Sequence, residues 1–166
     1  MRVSKIVAVA GLAVVATGFA WADTPLPHQR PGLWQGSITS MGHTNTTMYC
    51  MDAASEAKQT LIGEEAQKRN CTANQRTHNI DGSWDSSSTC KFGPGPARTT
   101  RSHTTGDFNS KVTIVMFAGN TNTPESTITM TWLGACKPGM RPGDVIMSDG
   151  TKMNVMDGSM SGGPPH

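Results

Sequence analysis

Any chemistry in this chain would have to come from a short set of side chains. Four thiols, Cys50, Cys71, Cys90 and Cys136, stand 21, 19 and 46 residues apart. That spacing lacks the C-x₂₋₄-C pairs of zinc sites and the C-x-x-C of redox centres, so the even count reads as two disulfides. A second set is a run of thioethers near the C-terminus, Met140, Met147, Met153, Met156 and Met160, followed by His166. Thioethers are soft ligands, and three of them drawn from Met147, Met153, Met156 and Met160, with His166, would suit Cu(I). The other histidines, His28, His43, His78 and His103, make no H-x-x-x-H or H-E-x-x-H pattern and read as solvated side chains. No G-x-S-x-G elbow occurs, and Asp81, Asp85 and Asp107 suit turns better than acid–base pairs. Nothing in this set argues for an enzyme, and no cofactor is implied.

The elements that must position these groups are mostly strands. Residues 23–31, DTPLPHQRP, carry three prolines and form an extended lead-in. From Gly32, Trp34, Gly36 and Ile38 alternate with Gln35, Ser37 and Thr39, the period of a half-buried strand. Residues 45–51 read as a second strand. Asp52 can cap a helix over AASEAKQTLIGEEAQKR, with Ala54, Ala57, Leu61 and Ile62 as its inner face and Gly63 as a weak point. Residues 71–92 read as a hairpin bent at Asp81-Gly82, whose second arm puts Trp84, Cys90 and Phe92 on one face. Exposed strand 97–105 and strands 110–118 and 125–133 follow, the last with Ile128, Met130 and Trp132 inward and its threonines outward.

Short strands, one helix and no βαβ rhythm predict a mainly β, disulfide-bonded domain: an antiparallel meander forming a curved sheet or a barrel-like domain with one short helix. Sequence alone permits three disulfide connectivities. A bend at Asp81-Gly82 sets Cys90 opposite Ala73, two residues from Cys71, so a bulge or shifted turn favours Cys71–Cys90 and leaves Cys50–Cys136. Trp34, Trp84 and Trp132 fall on inward faces. They are expected as core anchors, the alternative being a stacking platform for a sugar or aromatic ligand.

The flanks read differently. Residues 1–22 have the order of a signal peptide: Arg2 and Lys5, an apolar run from Ile6 to Ala20, and cleavage after Ala22 in Ala20-Trp21-Ala22. No membrane span is expected after cleavage. Without Arg2 and Lys5, the 14 basic residues fall to 12, against 12 acidic ones. A neutral mature chain does not offer the basic surface that nucleic acid requires. Residues 23–136 read as one domain, and 137–166, with six Gly, four Pro and no aromatic residue, as a disordered tail.

Pro31-Gly32-Leu33-Trp34 after a leader, Cys50 before a helical insert, Cys71, Gly82-Ser83-Trp84 followed by Cys90, and Trp132-Leu133-Gly134-Ala135-Cys136 form an ordered set. With these landmarks the chain resembles domain-of-unknown-function family 3617 over residues 31–136. The resemblance implies a bacterial, periplasmic, β-rich domain and transfers no catalytic residue. Two functions from different classes follow. One is a non-catalytic periplasmic binding or envelope-associated domain, whose partner would be an envelope component or a small apolar ligand held between the three tryptophans and the helix. The other is copper handling through the methionine-rich tail.

Overall fold

The computed structural model describes residues 25–162. The leader, its cleavage after Ala22 and His166 lie outside the described residues. Within them, strand β1 (Gly32–Ser40) and β2 (His43–Met51) lead into helix α1 (Ala53–Asn70). Then follow β3 (Cys71–His78), β4 (Trp84–Cys90), β5 (Arg98–Asp107), β6 (Lys111–Ala118) and β7 (Pro124–Gly134). Three short strands close the chain: β8 (Asp144–Ile146), β9 (Lys152–Asn154) and β10 (Met160–Ser161). α1 is not long and apolar enough to cross a membrane.

All ten strands form one antiparallel sheet in the order β10-β9-β8-β2-β1-β7-β6-β5-β4-β3. The sheet is curved and open, so the barrel-like alternative is corrected. Closure would need β3 to meet the far end of the sheet, but β8 pairs with the free side of β2 and β3 stays an edge.

The Pro31-Gly32 step shows how a local sequence sets this register. Gly32 has φ 134°, and a Cβ there would collide with the Gly134 carbonyl and the Trp132 indole nitrogen. Only glycine allows β1 to start so close to the end of β7. Two residues on, Trp34 is fully buried and its Nε1 donates to the Arg30 carbonyl at 2.7 Å. In the β3–β4 hairpin the Asp81 carboxylate accepts from the Ser83 backbone N–H, and Gly82 takes φ 83°. A bulge between Cys71 and Ala73 then sets Cys71 opposite Cys90, and those sulfurs are bonded. The second bridge joins Cys50 to Cys136.

Helix α1 starts as its sequence suggests, with Asp52 and Ser55 forming a reciprocal capping box. Its expected inner face is wrong: Ala54 and Ala57 are exposed, and Leu61 and Ile62 are each 48% accessible. The residues turned toward the protein are Ser55, Glu56, Gln59, Ala66, Gln67 and Asn70. The reason is the path of the helix. It leaves the end of β2 and delivers the chain to β3, six strands away in the sheet. Six steps of about 4.8 Å make about 29 Å, and an 18-residue helix is about 27 Å long. α1 touches the sheet near its two ends, at β2 and β3, and crosses the curved face as a chord across a bow. A helix held off the sheet has no close-packed core face to fill. Phe92, placed inward with Trp84 and Cys90 from the sequence, is also corrected: it lies beyond β4 and is 68% exposed.

The tail from residue 137 to 162 is ordered, not disordered. Its composition bars a core of its own, yet β8 docks on β2 through Met48↔Ile146 and Tyr49↔Val145. A polar hub replaces the missing apolar one. Asp144, 1% exposed, meets Lys152 Nζ at 2.7 Å, and accepts from Asn154 Nδ2 and the Arg141 backbone N–H, each at 2.8 Å.

Candidate functional site

The gap beneath the helix is a cleft of about 410 Å³. Its floor is the sheet: Val112 and Ile114 of β6, Met130 of β7, Thr104 of β5 and Met51 of β2. The strand period puts these on one face, because Val112 lies opposite Met130, and Ile114 opposite both Ile128 and Thr104. Gly36 in β1 belongs to the same face, and a Cβ there would press on Met130 Sδ at 2.9 Å and Tyr49 at 2.8 Å. Glycine thus leaves room for both side chains to lie over β1.

The roof is polar, formed by Glu56, Gln59, Thr60, Glu64 and Gln67 of α1. One wall is the lead-in, residues 25–29, with Phe108 beside it. The lead-in is clamped in place: Glu56 accepts from the Gln29 N–H at 2.7 Å and meets His28 Nδ1 at 3.1 Å, while the Arg30 N–H donates to the Phe108 carbonyl at 3.1 Å. An apolar floor facing a polar roof suits an amphipathic guest. Beyond the helix the apolar floor continues as the cross-strand row Ile38, Ile128 and Ile114, with Ile38 44% exposed.

The family model described as "Protein of unknown function (DUF3617)" matches residues 29–136. The chain belongs to the DUF3617 family. No curated protein and no solved structure matches it. The DUF3617 match runs from the lead-in through β7 to Cys136, and so takes in the helix, the cleft floor and both disulfides. Strands β8 to β10 lie beyond it.

None of the three tryptophans lines the cleft of this DUF3617 domain. Trp34 is core. Trp84, 5% exposed, stacks on His78 with ring centroids 4.2 Å apart. Trp132 donates to the Pro31 carbonyl at 3.1 Å and lies under the Arg30 guanidinium at 3.8 Å. The cavity expected between the tryptophans and the helix therefore exists with other walls. In the tail, Met153 and Met160 are cross-strand partners. Met147 leads the turn after β8 and Met156 follows β9, so neither joins that pair in register.

The structure also forms two constellations that the motif reading missed. Ser55-Glu56-Ala57-Lys58 has the S-x-x-K spacing of a serine nucleophile with a lysine one turn on. Ser55 Oγ is fully buried in the helix cap, accepting from the Asp52 N–H at 2.9 Å and donating to the Asp52 carbonyl at 3.1 Å, so it serves structure. On the opposite sheet face Asp85 meets His103 Nδ1 at 2.7 Å and accepts from Asn79 at 2.8 Å. These bonds from Asn79 and then His103 hold the Asp85 carboxyl below its usual range. Asp85 therefore braces the β3–β4 turn through Asn79, as expected, and also ties β4 to His103 of β5, which is not a merely solvated side chain. Asp85 and His103 are 18 residues apart and meet only through the β4–β5 register.

Proposed function

We propose that this chain is an exported, non-catalytic binding domain whose helix-spanned cleft takes a small amphipathic molecule. One observation carries the reading: the part-exposed Ile114 and Met130, beside the buried Val112, face polar helix side chains across open space, where a purely structural helix would have packed leucines into it. Two disulfides support an oxidising address outside the cytoplasm. N-terminal sequencing of secreted material should begin at Asp23. A retained Met1 would sink the export reading.

The binding reading is tested by titrating the full mature chain with N-phenyl-1-naphthylamine, a neutral apolar fluorophore. Saturable one-to-one binding is expected, weakened in Ile114→Gln. Absence of saturation, or an unchanged curve in that variant, overturns it. The Met153 and Met160 pair favours a second reading, Cu(I) capture by the tail. Cu(I) competition against a chelator should then depend on both thioethers and be lost in the Met153→Leu, Met160→Leu double variant. No affinity above that of the double variant refutes the second reading.

A further inference from the structure

The charge arrangement around the cleft points to the class of its ligand. We propose that the guest is a single-chain amphiphile with a carboxylate head, and that Arg76 is the residue that binds the head; this rests on the cleft reading above. Arg76 lies on edge strand β3, half-buried, and lines the cleft at the end away from Met130. Among the described residues it takes part in no salt bridge and no side-chain hydrogen bond, unlike the charges near it. Glu56 is held by His28 and the Gln29 N–H, and Glu64 faces Lys68 at 4.0 Å. A half-buried guanidinium without a partner is costly to desolvate and presents a planar fork of donors that fits a carboxylate.

Geometry separates head from chain. β3 is three strands from β6 and four from β7, and the register sets Arg76 level with Met116 and Ser126, two residues along from Ile114 and four from Met130, so Arg76 stands about 16 Å from Ile114 and about 23 Å from Met130 along the sheet. An extended aliphatic chain on the floor would therefore bring its head to Arg76. There the cleft meets a second recess of about 420 Å³, bordered by Gln67, Asn74 and Glu64, which gives the head access to water. A single guanidinium answers a single negative charge. Lys68 also borders the recess, but it lies 4.0 Å from Glu64, so the two offset each other and supply no free positive charge for the second charge of a phosphate. At about 410 Å³ the cleft lies near the lower end of ligand pockets, which suits one chain better than two.

The test displaces bound N-phenyl-1-naphthylamine from the full mature chain with dodecanoate, dodecanol or dodecyl phosphate, all below their micellar concentrations. Dodecanoate should compete about tenfold better than dodecanol, the usual worth of a partly exposed charge-assisted bond, and better than the phosphate. Arg76→Gln should cost dodecanoate about that tenfold and leave dodecanol and the fluorophore unchanged, and Arg76→Lys should recover part of the loss. Equal dodecanoate binding in Arg76→Gln and the parent overturns the head-group assignment while the cleft reading stands. Stronger competition by dodecyl phosphate overturns the choice of carboxylate. Failure of the fluorophore to bind the parent chain overturns the cleft reading, and this inference with it.

Discussion

Replacing Asp144 with alanine should release the C-terminal strands while leaving the rest of the sheet folded. The carboxylate is 1% exposed and engages Lys152 at 2.7 Å, Asn154 at 2.8 Å and the Arg141 N–H at 2.8 Å. Three charge-assisted bonds at about 1.5–3 kcal/mol each are an upper bound. Much of that returns on mutation, because the Lys152 and Arg141 side chains are 31% and 60% exposed and rehydrate, and Asn154 Nδ2 keeps the Pro142 carbonyl at 3.1 Å. The lasting losses are the lysine pairing and an unpaired Arg141 N–H, about 3 kcal/mol in all, the low end for breaking a buried ion pair. Docking rests on two residue pairs between β2 and β8 and a hydrogen bond from the Gly143 N–H to the Cys50 carbonyl, so the loss falls on a small local unit. Amide hydrogen exchange read by mass spectrometry should show peptides in 143–155 exchanging on the order of 100-fold faster, with β6 and β7 unchanged. Tail exchange within about threefold of the parent chain would refute the polar-hub argument. Uniform acceleration everywhere would show that the tail and sheet unfold as one unit.

Three further outcomes are expected. Trp84→Ala should lower stability by about 3–5 kcal/mol, read as an earlier urea midpoint, because the indole is buried against His78; since it does not line the cleft, fluorophore affinity should hold, and a marked loss would contradict the assignment of the cleft walls. Removing Cys71–Cys90 or Cys50–Cys136, with sequence separations of 19 and 86, should cost about 3 and about 4.5 kcal/mol by loop entropy; single-bridge serine variants in urea titrations would expose an inverted order. Acid should free the tail first. Ser159 bonds, helped by Arg141, bring the Asp157 carboxyl down to about 2. Burial works to raise Asp144, but Asn154, Lys152 and the Arg141 N–H outweigh it and leave its pKa lowered. Folded values below the ordinary value near 4 mean that this stabilisation is complete above about pH 4 and is lost as pH falls toward 2. Limited pepsin proteolysis across that window should cut 143–162 before the sheet, and equal cutting at pH 2 and pH 4 would count against it.

The strands were legible because their signal is local. Alternation in LWQGSIT and STITMTW, the Asp81-Gly82 bend and the Asp52 cap each act over a few residues, and the structure has β1, β7, the β3–β4 hairpin and α1 where those signals stand. The bulge at Cys71 that brings it opposite Cys90 follows from the same hairpin. Local signals failed where a segment's fate depends on a distant partner. The tail reads as disordered because its composition cannot build a core; it folds because β2 offers an unused edge and Asp144 gathers Lys152 and Asn154.

The cleft could not be read in advance for the same reason. Leu61 and Ile62 look like an inner face only if the helix lies flat on the sheet, and whether it does depends on β3 pairing six strands from β2, which no stretch of residues 53–70 records. Backbone sterics and short-range periodicity make the element types and the turn at Asp81-Gly82 legible in the residues alone, and four cysteines give the number of bridges. Strand order is settled by long-range pairing across the whole chain, and that pairing makes the helix span the curved sheet as a chord, leaves Ile114 and Met130 on the floor of an open cleft, and stands Arg76 at its end.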